Sequence, residues 1–169
     1  AMYLGGRFAD SYPFFQRARE LDPGFMQAAK WQLFTSTFTE TESARDSLRS
    51  WLDERRDLLS AADRHQIDFF TALDGRPDWE ASYQAGRARL AAAPGSDDAR
   101  RELALAAYRT KRYQEATEHL RALNPERGLI QRWSDYWSEL ATTYHHRGMP
   151  DSALIVLEAA SAEAKATSR

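Results

Sequence analysis

With 169 residues, 43% of them hydrophobic and 28% charged, the chain has enough apolar material to bury a core and is too hydrophobic to stay disordered. Its 23 basic and 25 acidic residues leave a formal charge of −2, so no electrostatic pull toward nucleic acid or anionic lipid is expected. The chain has no cysteine, which excludes disulfides, thiolate zinc sites and cysteine nucleophiles, and no apolar run approaches the ~20 residues of a membrane span.

Apolar residues recur at three- and four-residue steps almost throughout, which is helical spacing. In chain order, helices are expected at about 7–21, 24–38, 42–59, 62–74, 77–92, 97–110, 112–123, 128–147 and 150–165. Stops are legible at Asp22-Pro23-Gly24, Asp74-Gly75-Arg76-Pro77 and Pro94-Gly95. Thr35, Ser36, Thr37, Thr39 and Thr41 weaken the end of the second helix. The third is expected to run on to Leu59, with Ala44, Leu48, Trp51, Leu52, Leu58 and Leu59 on its apolar face. Ser60 and Asp63 are spaced as a capping box, and Ser96 as an N-cap followed by Asp97-Asp98 at the positive end of a helix. No stretch alternates with period two beside hairpin-turn residues, so no sheet is expected.

A repeat underlies these helices. From Trp137 to Ala160 the chain reads Trp137, Leu140, Ala141, Tyr144, Gly148, Ala153, Leu157, Ala160, with large and small apolar residues alternating on one face, a Gly break and a Pro150 restart. Trp79 and Tyr113 lie 34 residues apart in matching surroundings. From Tyr113 to Pro150 the step is 37, with the extra residues placed in Asn124-Pro125-Glu126-Arg127-Gly128. Gly6-Arg7-Phe8 with Ser11, Phe15, Ala18 and Pro23 reads as the second half of another unit, as though the chain began inside a repeat.

This pattern resembles the tetratricopeptide repeat. The resemblance implies an all-α, right-handed superhelical solenoid of antiparallel helix pairs, forming one domain over 1–169. It divides as a half repeat at 1–23 and repeats at about 24–61, 62–95, 96–128 and 129–165. It further implies a non-catalytic scaffold that binds a peptide or partner protein in a concave groove lined by the first helices. The groove-facing positions carried over are Arg64, Asp68 and Thr71, then Arg101, Glu102, Leu105, Tyr108 and Arg109, then Asp135, Ser138, Glu139, Thr142 and His145. Where the chaperone-binding branch grips a terminal carboxylate with lysines and asparagines, this chain holds Ile67, Thr71 and Glu102, which argues against that clamp. The layout also resembles repeat regions of multidomain bacterial signalling proteins; a cytoplasmic location is expected, or an extracytoplasmic one where the region is attached to a membrane-spanning receptor.

No constellation speaks for catalysis, and no cofactor or metal is expected. His145 and His146 are adjacent and point about 100° apart, whereas zinc-binding helices use i, i+4 pairs. They read as helix-surface residues. Glu102, Glu115, Glu118 and Asp135 read as a solvated face. Gly-x-Ser-x-Gly and Gly-rich phosphate loops are both missing. Trp133, Trp137, Leu140, Ala141 and Tyr144 read as core, while Tyr108 and Tyr136 are less forced inward. The arginines at 55–56, 87, 89 and 100–101 read as surface ion pairs with Asp53, Glu54, Glu80, Asp97 and Asp98. The alternative reading is a small-ligand- or carbohydrate-binding, or enzymatic, repeat protein with a pocket at Tyr108, Arg109 and His145. The last helix reads as a partly polar cap. The N-terminal end, with Tyr3, Leu4, Phe8, Phe14 and Phe15, reads as an uncapped apolar surface for homo-oligomer formation.

Overall fold

Short polar side chains set several of the described helix starts. A computed structural model describes residues 8–37, 39–125 and 135–167. Its helices are α1 (Phe8–Leu21), α2 (Met26–Ser36), α3 (Glu42–Asp53), a 3-10 turn (Arg56–Leu58), α4 (Ala61–Leu73), α5 (Trp79–Ala92), α6 (Asp97–Arg109), α7 (Tyr113–Arg121), α8 (Tyr136–His146) and α9 (Pro150–Thr167). The described residues contain no strand. No described helix is long and apolar enough to cross a membrane.

Four helices start on a side-chain cap. Thr41 accepts from the Ala44 amide at 3.4 Å, Ser60 from Asp63 at 3.1 Å, Asp78 from Ala81 at 2.9 Å and Ser96 from Ala99 at 3.1 Å. Each satisfies an amide that the helix cannot, worth ~0.5–2 kcal/mol. The Ser60–Asp63 pair departs from a capping box. Asp63 Oδ2 accepts the Ser60 hydroxyl at 2.7 Å, and its Oδ1 is taken by Lys30 Nζ at 2.5 Å. Helix α2 stops where its hydroxyls turn on the backbone: Thr35 donates to Trp31 O at 2.9 Å and Ser36 to Leu33 O at 2.6 Å.

The third helix is shorter than its sequence predicts. It ends at Asp53, and the 3-10 turn follows. That turn sends Leu59 into the core at 6% exposure and leaves Leu58 75% exposed, so the two leucines do not share a face.

The chain forms two compact units, residues 1–94 and 95–169. In the first, α2 packs on α1, α3 and α4, and α4 on α5. Ala29, Leu33, Leu48, Leu52, Leu59 and Ile67 form its buried cluster. Phe34 lies against Phe70 at 4.6 Å between centroids, with Trp31 5.8 Å from Phe70. Two ion-pair groups tie these helices: Lys30 with Asp63, and Asp74 between Arg45 and Arg49.

In the second unit α6 packs on α7, α7 on α8 and α8 on α9. Ala104, Leu120, Leu123, Tyr136, Leu140, Ala141, Ala153 and Val156 form the core, with Trp137 and Tyr144 against it. The repeat appears in the registers of the second helices. Trp79, Tyr113 and Pro150 are the first residues of α5, α7 and α9. Three positions on, Ser82, Ala116 and Ala153 are all buried. A small side chain there lets paired helices approach closely. The outer surface of α9 differs from the expected polar cap: Leu154, Ile155 and Leu157 are exposed.

Candidate partner-binding site

Helix α6 buries Ala99, Glu102, Leu103 and Ala106 along one face, because positions i, i+3, i+4 and i+7 stack in a 3.6-residue helix. This leaves Arg101, Leu105 and Tyr108 half-buried and Arg109 exposed. Helix α8 buries Tyr136, Leu140, Ala141 and Thr143. Asp135, Ser138, Thr142 and His145 are exposed, and Glu139 is half-buried between them.

Glu139 is the centre of this face. Burial pushes its carboxyl up to about 7; Arg101 and Arg109 pull the other way, and the nearby Asp135 adds to the rise. Two helices thus bring four sequence-predicted residues into one electrostatic group: Arg101 and Arg109 from α6, Asp135 and Glu139 at the start of α8. Arg101 also pairs with Asp98 at 3.1 Å, as the sequence predicts.

Tyr108 joins a different cluster. Its ring is 5.8 Å from Tyr113 and 5.7 Å from His146, and Tyr113 and His146 stack at 4.7 Å with planes 10° apart. The Tyr108 hydroxyl is 3.4 Å from His146 Nε2. Beside them is an open hollow of about 570 Å³ whose lining includes Lys111, Arg112, Tyr113, Glu118, His146 and Arg147. His146 is exposed, and its ring joins this cluster. The signal was available, since Tyr113 opens α7 and His146 closes α8. His145 is exposed, with its ring 5.8 Å from that of His146.

Glu102 lies inside the unit at 2% exposure, on the side of α6 that carries Ala99 and Leu103. Tyr136 is also a core residue at 4% exposure, and its hydroxyl donates to Leu120 O at 3.3 Å, so it lines no groove. Burial raises the pKa of that hydroxyl. Arg89, read as a surface ion pair, is 8% exposed. Trp133, Tyr3, Leu4 and the turn at 126–128 lie outside the described residues. Phe14 is exposed at 63%.

In the first unit Arg64 donates to Leu59 O at 3.0 Å, folding back over the 3-10 turn. Asp68 accepts from Arg56 at 2.7 Å and lies 3.6 Å from His65 Nδ1. Thr71 is half-buried and Ile67 is core. A set the sequence reading missed is Tyr12, Arg19 and Gln32, joined by hydrogen bonds. Tyr12 and Arg19 are seven residues apart on α1, a two-turn spacing that puts them on one face.

No protein-family model matches the sequence, and no curated protein does. Solved structures resemble the fold, among them two of MamA. A crystal structure of MamA aligns at TM-score 0.58 and 13% identity over 99% of this chain and 94% of that one. A second, of MamA protein, aligns at TM-score 0.54 and 14% identity over 94% of this chain and 87% of that one. At such identities the likeness is one of fold. Together with the helix registers at Trp79, Tyr113 and Pro150, it shows that this chain has a helical-repeat fold of the tetratricopeptide type.

Proposed function

We propose that this chain is a non-catalytic protein–protein interaction scaffold. The face of α6 and α8 in the second unit holds a segment of the partner. The observation that carries this reading is that Arg101, Arg109 and Asp135 all act on the charge of the half-buried Glu139, beside the exposed Ser138 and Thr142. An arginine offers a planar fork of donors to carboxylates or backbone carbonyls. Glu139, whose charge is disfavoured by burial, is served best by a cation from outside. The partner that fits is a polar segment of mixed charge, placing a basic side chain at Glu139 and an acceptor at Arg109. Glu102 is no part of this surface, because it is buried.

The test is site-directed photocrosslinking. A photoreactive residue at Ser138 is expected to capture a protein from native lysate that the same residue at Glu158, exposed on α9, does not capture. The double variant Arg101→Ala, Arg109→Ala should keep its helicity and lose that product. Capture at Glu158 alone, or capture unaffected by the double variant, would move the binding surface elsewhere.

A further inference from the structure

We propose that the first unit carries a carboxylate-binding recess between α1, α2 and α3, distinct from the face around Glu139. The recess measures about 240 Å³, and its lining includes Tyr12, Arg19, Gln32, Glu40, Ser47 and Trp51. It is built from α1 and α3, which the repeat pattern makes second helices, and from one side of α2.

The argument starts from charge. Each of the other buried or half-buried cations between these helices meets an acid. Lys30 pairs with Asp63, and Arg45 and Arg49 both pair with Asp74. Arg19 does not. Among the described residues its acceptor is neutral: Nη1 donates to Gln32 Oε1 at 2.8 Å. Its guanidinium lies over the Trp51 ring at 4.6 Å, and a second guanidinium, Arg55, lies over that ring at 4.4 Å. Arg55 has Glu54 at 3.1 Å. Among the described residues Arg19 is thus a half-buried charge without an ion-pair partner, and Arg55 is a second cation beside it. Burial, with a further push from Arg55, lowers its pKa. A desolvated charge without a counter-charge is costly, and a carboxylate meeting an arginine fork relieves that cost.

The rest of the recess is held in place for this. Gln32 is 6% exposed, so its amide is fixed in the wall. It donates through Nε2 to the Tyr12 hydroxyl at 3.2 Å, which leaves its carbonyl toward Arg19. Burial, with the nearby Glu40 carboxylate adding to it, raises the pKa of the Tyr12 hydroxyl. Glu40 lines the same recess but acts on Tyr12 rather than on Arg19, so the Arg19 end is the one suited to an anion. Size narrows the ligand. Pockets for drug-sized molecules run to ~300–1,000 Å³, so this one fits a single acidic side chain or a small organic acid. Both present the same group, and the experiment separates them.

The experiment follows the Trp51 indole N–H by NMR on the whole ¹⁵N-labelled chain, assigned with Trp51→Phe. The probes are benzoate against benzamide, and the blocked peptide acetyl-Gly-Glu-Gly-amide against its Gln counterpart. A saturable shift with benzoate but not benzamide supports the site with a free small acid as ligand. A shift with the Glu peptide but not the Gln peptide supports it with a partner's acidic side chain. Arg19→Gln should weaken either by ~tenfold or more, the size of a lost charge-assisted hydrogen bond. Glu40→Gln should tighten it by removing a like charge. Should Arg19→Gln not fold, Arg19→Lys decides, since it keeps the charge and loses the fork. Weakened binding supports the site, and unchanged binding overturns it. Equal response to acids and amides, no response at millimolar probe, or tighter binding after Arg19→Gln also overturns it.

Discussion

Lys111 and Gly148 hold the same place in successive repeats, 37 residues apart, and both have positive φ, 64° and 71°. Each follows the end of a first helix. Lys111 N donates to Tyr108 O at 3.0 Å and Arg112 N to Ala107 O at 2.8 Å; Gly148 N donates to His145 O at 3.0 Å and Met149 N to Tyr144 O at 3.1 Å. This is the paired closure of a Schellman motif, in which the left-handed residue and the one after it each satisfy a helix carbonyl. Glycine takes that conformation without a Cβ penalty, and lysine does not. Lys111→Gly should raise unfolding free energy by roughly 0.5–1 kcal/mol, the left-handed penalty of ~1–2 less glycine's extra chain entropy. No atom lies within 4 Å of a Cβ built at Gly148, so Gly148→Ala tests the backbone alone and should cost ~1 kcal/mol. Urea midpoints at unchanged slope measure both. A Lys111→Gly midpoint below wild type would remove the strain from this account.

The second prediction concerns close packing. Ala153 is 8% exposed in a core with Leu120, Leu140 and Val156, and Ala116 holds the same repeat position at 0%. Ala153→Leu should overpack this contact and cost ~1–3 kcal/mol, with Ala116→Leu at least as costly. If denaturant midpoints do not fall, the register assigned to α7 and α9 is wrong.

Acid should weaken the first unit at one pair. Lys30 is nearly buried, at 5% side-chain exposure, and its Nζ meets Asp63 Oδ1 at 2.5 Å. Burial alone raises the Asp63 pKa, but hydrogen bonds from Lys30, Ser60 and Gln27 outweigh it and hold the carboxyl below its ordinary value. A depressed carboxylate stabilises the fold above its unfolded pKa of ~3.9, and that stability is lost as pH falls through the folded value. Asp63→Asn should therefore flatten the pH dependence of stability below about pH 4. Lys30→Ala, which strands the carboxylate, should cost on the order of 3 kcal/mol at pH 7. A wild-type acid limb unchanged in Asp63→Asn would place the acid sensitivity elsewhere.

Much of the architecture could be read from local chemistry. Capping residues such as Ser60 and Ser96, and the 34- and 37-residue steps through Trp79, Tyr113 and Pro150, depend on neighbours in sequence. They place the starts of α3 to α7 and of α9 to within a few residues. The misses were of another kind. Periodicity places Leu58 and Leu59 on one helix because it does not register a 3-10 turn. Glu102 and Glu139 lie 37 residues apart at one repeat position, yet the first is buried and the second faces Arg101 and Arg109. Repeat position alone did not separate them, because burial depends on what the adjoining helices supply. The network from Arg19 through Gln32 to Tyr12 was missed for the same reason, since it spans two helices.

The last prediction turns Glu139 into a reporter for the proposed binding face. Its folded pKa, about 7, lies above the ~4.3 of an unfolded glutamate. A raised carboxyl favours the folded state in its neutral form. The stability it contributes is complete below about pH 4 and is lost as pH rises through 7. Glu139→Gln should match wild type at pH 4 and exceed it at pH 8, by on the order of 2 kcal/mol once partial solvent access is allowed for. Arg101→Ala removes the larger of two opposing positive charges, so it should move the wild-type transition to higher pH. Both are read from urea midpoints between pH 4 and 8. The same proton bears on binding: a partner that places a cation at Glu139 favours the ionised form, so at pH 6.5 association should release a proton. Calorimetry in buffers of different ionisation enthalpy measures that release. Zero release from a complex that still needs Arg101 and Arg109 would mean that the partner engages the arginines and leaves Glu139 alone.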